Sequence, residues 1–147
     1  MKFQSDVTQL RGNRKDRKIN GMIEERWKDW CRAENCDAGG KYNFQQLEWL
    51  AAGALPESGE AIFRIIRKPL GSSVVPLALQ MIESDLLDEE YDGKTLNKNN
   101  EWRNGVEVNE WGRAVRYAIL TKHPGDAIYI SSVTDSRKHI FLPADDV

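Results

Sequence analysis

The chain has 147 residues, 40% hydrophobic and 30% charged, with 21 Lys and Arg against 23 Asp and Glu. That length supports one domain with a real core, and the composition excludes a disordered chain. The formal net charge of -2 excludes the strongly basic signature of a dedicated nucleic-acid binder, though not a local basic patch.

No apolar run approaches the roughly 20 residues of a membrane helix, so no membrane partner is expected. Residues 2–18 are polar, so no signal-peptide core follows Met1 and the default compartment is the cytosol. Five Trp are many for this length. Each is a large apolar group with one N–H to satisfy, which suits a core or a subunit interface. Cys31 and Cys36 read as two reduced thiols at a helix end. A zinc site would need them to join His123 and His139, and nothing in the spacing supports that.

Residues 1–18 form a polar basic arm, with Arg11, Arg14, Lys15, Arg17 and Lys18 against one nearby acid, Asp16. The arm is either solvated or a possible contact for nucleic acid or a neighbouring subunit. Residues 19–32 predict an amphipathic helix with Ile19, Ile23, Trp27, Trp30 and Cys31 on one stripe. It should end near residues 35–40, where Asn, Asp and Gly cluster. Asn43 and Gln46 have the spacing of a capping box, opening a helix through Phe44, Leu47, Leu50, Ala51 and Ala54 that stops before Pro56.

Ser58-Gly59 predicts a turn, and residues 60–67 a strand apolar on both faces. Residues 68–73 read as a loop. Residues 74–82 predict a second strand, with Pro76 confined to its start. Residues 83–102 are acidic and then rich in Asn and Lys, and read as an exposed excursion. A hairpin follows: residues 106–108, a turn over 109–112 in which Gly112 takes the positive-φ place, and residues 113–120. His123-Pro124-Gly125-Asp126 has Pro and Gly where a type II turn wants them. Residues 127–133 and 138–142 predict weaker strands. The fold class is α+β, with two N-terminal helices packed against a mainly antiparallel sheet with hairpins.

No catalytic constellation emerges. Gly105 and Gly112 are too far apart for a phosphate loop, and no nucleophile elbow surrounds Ser131 or Ser132. Asp145 and Asp146 are adjacent, so in a strand they would point to opposite faces and could not work as an acid/base couple. The expectation is no enzyme, no cofactor and no metal.

The order of motifs resembles the lambda-type tailed-phage portal proteins. The resemblance begins at the helix Ile23-Glu24-Glu25-Arg26-Trp27-Lys28-Asp29-Trp30. It continues through residues 44–55 and Ser58-Gly59-Glu60-Ala61-Ile62-Phe63. It then runs through Leu79-Gln80-Met81-Ile82-Glu83-Ser84-Asp85, Gly105-Val106-Glu107-Val108, Trp111-Gly112-Arg113 and Tyr117. His123-Pro124-Gly125-Asp126 and Pro143-Ala144-Asp145-Asp146-Val147 complete it. The family-motif positions it marks as structural are Trp27, Trp30, Gly59, Glu60, Gly105, Gly112, Tyr117, Pro124, Gly125, Pro143 and Asp145.

The resemblance implies a portal wing-like α+β domain over residues 19–147, incomplete at both ends, because members of that family are several times longer. It implies a structural ring component at the capsid vertex, serving head assembly, DNA packaging and ejection. The implied partners are other portal subunits in a homo-oligomeric ring, capsid and scaffold proteins, the terminase motor, and double-stranded DNA passing through. The implied location is the virion, or the host cytoplasm for a prophage fragment. Trp27, Trp30, Trp49, Trp102 and Trp111 could supply contacts between neighbours, and near-neutral charge would let DNA slide without sticking. Two other readings stay open: a free-standing nucleic-acid or protein-binding module using the arm Arg11 to Lys18, and a small enzyme using His123 with Asp126.

Overall fold

The structure is a computed structural model that describes residues 3–8, 16–125 and 138–147. Three helices come first: α1 (Arg17–Trp30), the single-turn α2 (Ala33–Cys36) and α3 (Phe44–Ser58). Six strands follow among the described residues: β1 (Ile62–Ile66), β2 (Ala78–Ile82), β3 (Glu101–Arg103), β4 (Val106–Val108), β5 (Ala114–Leu120) and β6 (His139–Pro143). Strands β1 and β2 pair, and β3-β4-β5-β6 form a four-stranded sheet in that order. Every pairing in the larger sheet is antiparallel. The fold is α+β. The chain divides into two compact units, Met1–Ala54 with Ile65–Gln80 and Leu55–Arg64 with Met81–Val147.

In the first unit, Asp16 opens α1 by accepting from the backbone N–H groups of Lys18 and Ile19, both at 3.1 Å. Arg17 and Lys18 are therefore the first turn of a helix. Residues 3–8 lie against that helix. The Asn20 carboxamide accepts from Ser5 Oγ and from Val7 N, both at 2.8 Å, and donates to Val7 O at 3.0 Å. Asn20 is thus buried, while Ile19 and Ile23 on the expected apolar stripe are 44% and 36% exposed. The polar clip decides which face of the first turns is covered, because a buried amide with all its partners satisfied costs little.

Helix α1 ends at Trp30, earlier than the Asn- and Gly-rich stretch suggested. The Trp30 indole N–H donates to Leu77 O at 2.7 Å, fixing the helix end. Beyond it Asn35 ties two segments, donating to Asp29 O and accepting from Ser72 N. The Asp37 carboxylate accepts from the N–H groups of Gly39, Lys41 and Tyr42, so the short link into α3 is held by one side chain.

The capping box opens α3 as expected. Asn43 N donates to Gln46 Oε1 and Gln46 N donates to Asn43 Oδ1, both at 2.9 Å. The helix does not stop before Pro56 but runs through it to Ser58. Proline removes one N–H from the last turn, and the helix ends two residues later, so little of the ladder is lost. Gly59, at φ +79, then ends the helix with its N–H on Leu55 O at 3.0 Å.

In the second unit, Ile62, Ile82, Leu87, Ile119 and Leu142 form the core, with Leu86, Tyr117 and Val147 packed against them. The strand expected over residues 74–82 begins only at Ala78. Before it, Ser73 turns the chain, its hydroxyl accepting from Val75 N at 3.1 Å. The expected exposed excursion over residues 83–102 is only partly exposed. Leu87 is in the core, and Tyr91 packs edge-on against Trp102 with centroids 4.7 Å apart.

The excursion also ends in a strand. Asn104 (φ 47) and Gly105 (φ 77) both take positive φ, the requirement of a two-residue turn of type I′, and join β3 to β4 with Arg103 opposite Val106. Residues 127–133, expected as a strand, lie outside the described residues.

Three variants test these assignments by reversible denaturation. Asn43→Ala should cost about 1 kcal/mol through loss of the cap. Gly105→Ala should cost roughly 2–4 kcal/mol, since it combines positive φ with a close contact. The added Cβ would lie 2.7 Å from Asp88 O. Gly112→Ala meets nothing within 4 Å and should cost only the backbone part, about 1–2 kcal/mol.

Candidate assembly interface

The five Trp side chains sort by exposure. Trp30 is buried in the first unit at 4%. Trp27 is half-buried beside it, ring centroids 5.2 Å apart, and both meet Phe44 at the same distance. Phe3 closes the cluster 5.0 Å from Trp27. Trp102 is half-buried in the second unit, with no hydrogen-bond partner for its indole N–H among the described residues. Trp49 and Trp111 stand in solvent at 75% and 84% exposure.

Helix α3 carries the most exposed large hydrophobic side chain of the first unit, Trp49. Leu47 alone on it is buried, while Trp49 and Leu50 face outward. One cavity of about 900 Å³ lies between the aromatic cluster and the start of α3, lined by Phe3, Trp27, Phe44 and Gln45 among others. A second, of about 530 Å³, is lined by Tyr42, Asn43, Gln45, Gln46, Trp49 and Leu50 and contains no charged side chain. Exposed apolar hollows rimmed by polar groups mark surfaces that meet other molecules.

Cys31 lines the larger cavity, and burial together with the charge of Glu48 raises its thiol pKa. Cys36 is fully buried, and burial above all pushes its thiol up to about 11. Both are protonated at neutral pH, the state least able to attack or to bind metal. Among the described residues no three metal-ligating side chains cluster. No helix among them is long and apolar enough to cross a membrane.

The second unit is braced by a buried charge. Glu107 is 0% exposed. It accepts from Leu96 N and Asn100 Nδ2, each at 2.7 Å, and from Arg116 Nε. Arg116 donates on to Lys94 O at 2.9 Å. Its guanidinium lies over Phe141 at 4.4 Å and Trp102 at 5.2 Å from the ring centroids. Burial alone would raise the Glu107 pKa, but its hydrogen bonds from Asn100, Arg116 and Leu96, with the Arg116 charge, hold it below its ordinary value. Sequence alone marked Glu107 and Arg116 only as strand residues. Their one signal was a charge at a position whose neighbours in the alternation are apolar.

His139 Nε2 meets Asp88 Oδ2 at 2.6 Å, under the Tyr91 ring. His123 Nδ1 accepts from Gly125 N, and its Nε2 faces Asp85 at 3.3 Å and Glu83 at 3.6 Å. Neither His stands beside a hydroxyl or thiol nucleophile in these contacts. Asp126, the proposed partner of His123, lies outside the described residues.

The remaining motif positions shape the chain. Gly59 ends α3, Glu60 leads into β1, and Gly105 and Gly112 sit in hairpin turns. Tyr117 packs on the core from β5. Pro124 and Gly125 make the turn after β5, Pro143 closes β6, and Asp145 lies in the helical turn that follows. Of the basic positions, Arg17 and Lys18 are exposed at the start of α1, and Arg11, Arg14 and Lys15 lie outside the described residues.

The sequence pattern of the family described as phage portal protein, lambda family, matches residues 1–147. A protein of Halomonas phage phiHAP-1 named "Probable portal protein" is 34% identical over 132 residues. That match covers 90% of the chain and 24% of the phage protein, so the chain spans about a quarter of that relative's length.

The Glu107 brace gives a testable pH dependence. A carboxylate whose folded pKa is depressed contributes stability above its unfolded value and loses it as pH falls through the folded one. Unfolding free energy should therefore be level above the ordinary value of 4.5 and fall below it. Glu107→Gln, which leaves Arg116 unpaired, should cost roughly 3–5 kcal/mol at neutral pH and flatten that acid limb. Thermal melts across the pH range read both.

Proposed function

The chain belongs to the lambda family of phage portal proteins, and from that membership we propose that it supplies one region of a portal subunit. The subunit assembles with its copies into a homo-oligomeric ring at the capsid vertex. There the ring meets capsid and scaffold proteins, docks the terminase motor and passes double-stranded DNA during packaging and ejection. The observation that carries this reading is the family match along the whole chain.

The structure supports a building part over a catalyst. The motif positions form turns, helix ends and core. The two most exposed large hydrophobic groups among the described residues are indoles, on a helix face and a hairpin tip, the residue type enriched where subunits meet. A ring subunit needs such contacts and no reacting side chain of its own.

Disrupting the gene in a phage or prophage that carries it should leave capsids without DNA in electron micrographs. A normal yield of DNA-filled heads would overturn the proposal. Terminase and head-protease genes should flank it. His123→Ala should leave folding and head assembly unchanged within error, whereas loss of a hydrolytic activity in that variant would favour an enzyme.

A further inference from the structure

Trp111 and Trp49 are the most exposed large hydrophobic side chains among the described residues. They sit on unlike shapes. Trp111 is at the tip of the β4–β5 hairpin, and that tip is stiff. The Asn109 carboxamide accepts from Trp111 N and Arg113 N, both at 3.0 Å, and Gly112 N closes onto Asn109 O at 2.8 Å. A pre-ordered tip loses little freedom when it docks. Trp49 instead walls the cavity of about 530 Å³ on α3, a hollow with room for an indole.

Helix α3 carries a further sign of a close neighbour. Glycine inside a helix disfavours it relative to alanine. No atom within 4 Å requires a glycine at Gly53, one turn beyond Trp49. With Ala51, Ala52 and Ala54 around it, the helix presents a low surface to whatever lies on it.

The charges beside the two shapes are complementary. Glu110 flanks the hairpin tip and Lys41 adjoins Tyr42 in the chain, both exposed, whereas Glu48 lines the larger cavity. The acid beside the knob thus finds a base beside the hollow. A knob and a hollow on one chain make a head-to-tail contact, the kind that generates rings.

We propose that Trp111 of one copy seats in the α3 cavity of a second copy, with Glu110 toward Lys41. The contact deepens the reading of the chain as a ring subunit and rests on it.

Sedimentation velocity on the full chain tests this with Trp49→Ala and Trp111→Ala. Both residues are exposed, so each variant should keep the parent melting temperature. The parent should associate beyond dimer as concentration rises. Each variant alone should associate at least tenfold more weakly. Trp49→Ala keeps the knob and Trp111→Ala keeps the hollow, so an equimolar mixture should form a dimer that grows no further.

Glu110→Lys should weaken parent association and Lys41→Glu, combined with it, should restore it. A parent that stays monomeric, a Trp111→Ala variant that associates like the parent, or a mixture without dimer would each overturn the contact. None of these outcomes bears on the ring reading, which stands or falls with the gene disruption.

Discussion

The second unit depends on a charge held where water cannot reach it. Glu107 leaves solvent entirely, and a lone carboxylate there would be prohibitive. Its hydrogen bonds come from Leu96 and Asn100 before it in the chain and from Arg116 after it. One side chain therefore fixes an irregular segment, a hairpin strand and its neighbour together. Arg116 extends the brace to Lys94 and to the faces of Trp102 and Phe141. The segment before β3 has few apolar groups of its own and is held by polar bonds to this pair.

The first unit solves a similar problem with short polar side chains. Asn20, Asn35 and Asp37 each bind backbone atoms of other segments. Between them they hold residues 3–8, the link into α3 and the loop near Ser72. Helix α1 can then leave Ile19 and Ile23 in solvent and still be fixed. Apolar burial there is concentrated at Trp30, Cys36 and Leu47. Trp49 and Leu50 on α3 stay exposed as well.

Local chemistry was legible in the sequence. The capping box of Asn43 and Gln46 involves residues three apart, and the hairpin turn at Asn109 to Gly112 closes within five. Long-range polar pairing was not. Nothing near Asn20 announces that Ser5 and Val7 will bury it, and nothing near Glu107 announces Asn100. Strand β3 was missed because its approach is polar, although Asn104-Gly105 was a hairpin signal in plain view. Pro56 misled because a proline in a last turn removes a bond that the helix was about to give up. The Trp residues were legible as important but not as core or surface, since composition carries no partner.

Cys36 has a use that its burial creates. Its thiol is protonated and shut away, so a thiol reagent can reach it only when the surrounding structure opens. Cys31, partly exposed on the cavity wall, offers a second thiol in a different setting. The rate at which Cys36 is labelled is therefore a clock for opening of the first unit. Run on assembled and unassembled protein, it would show whether a neighbour on α3 steadies the helices beneath it.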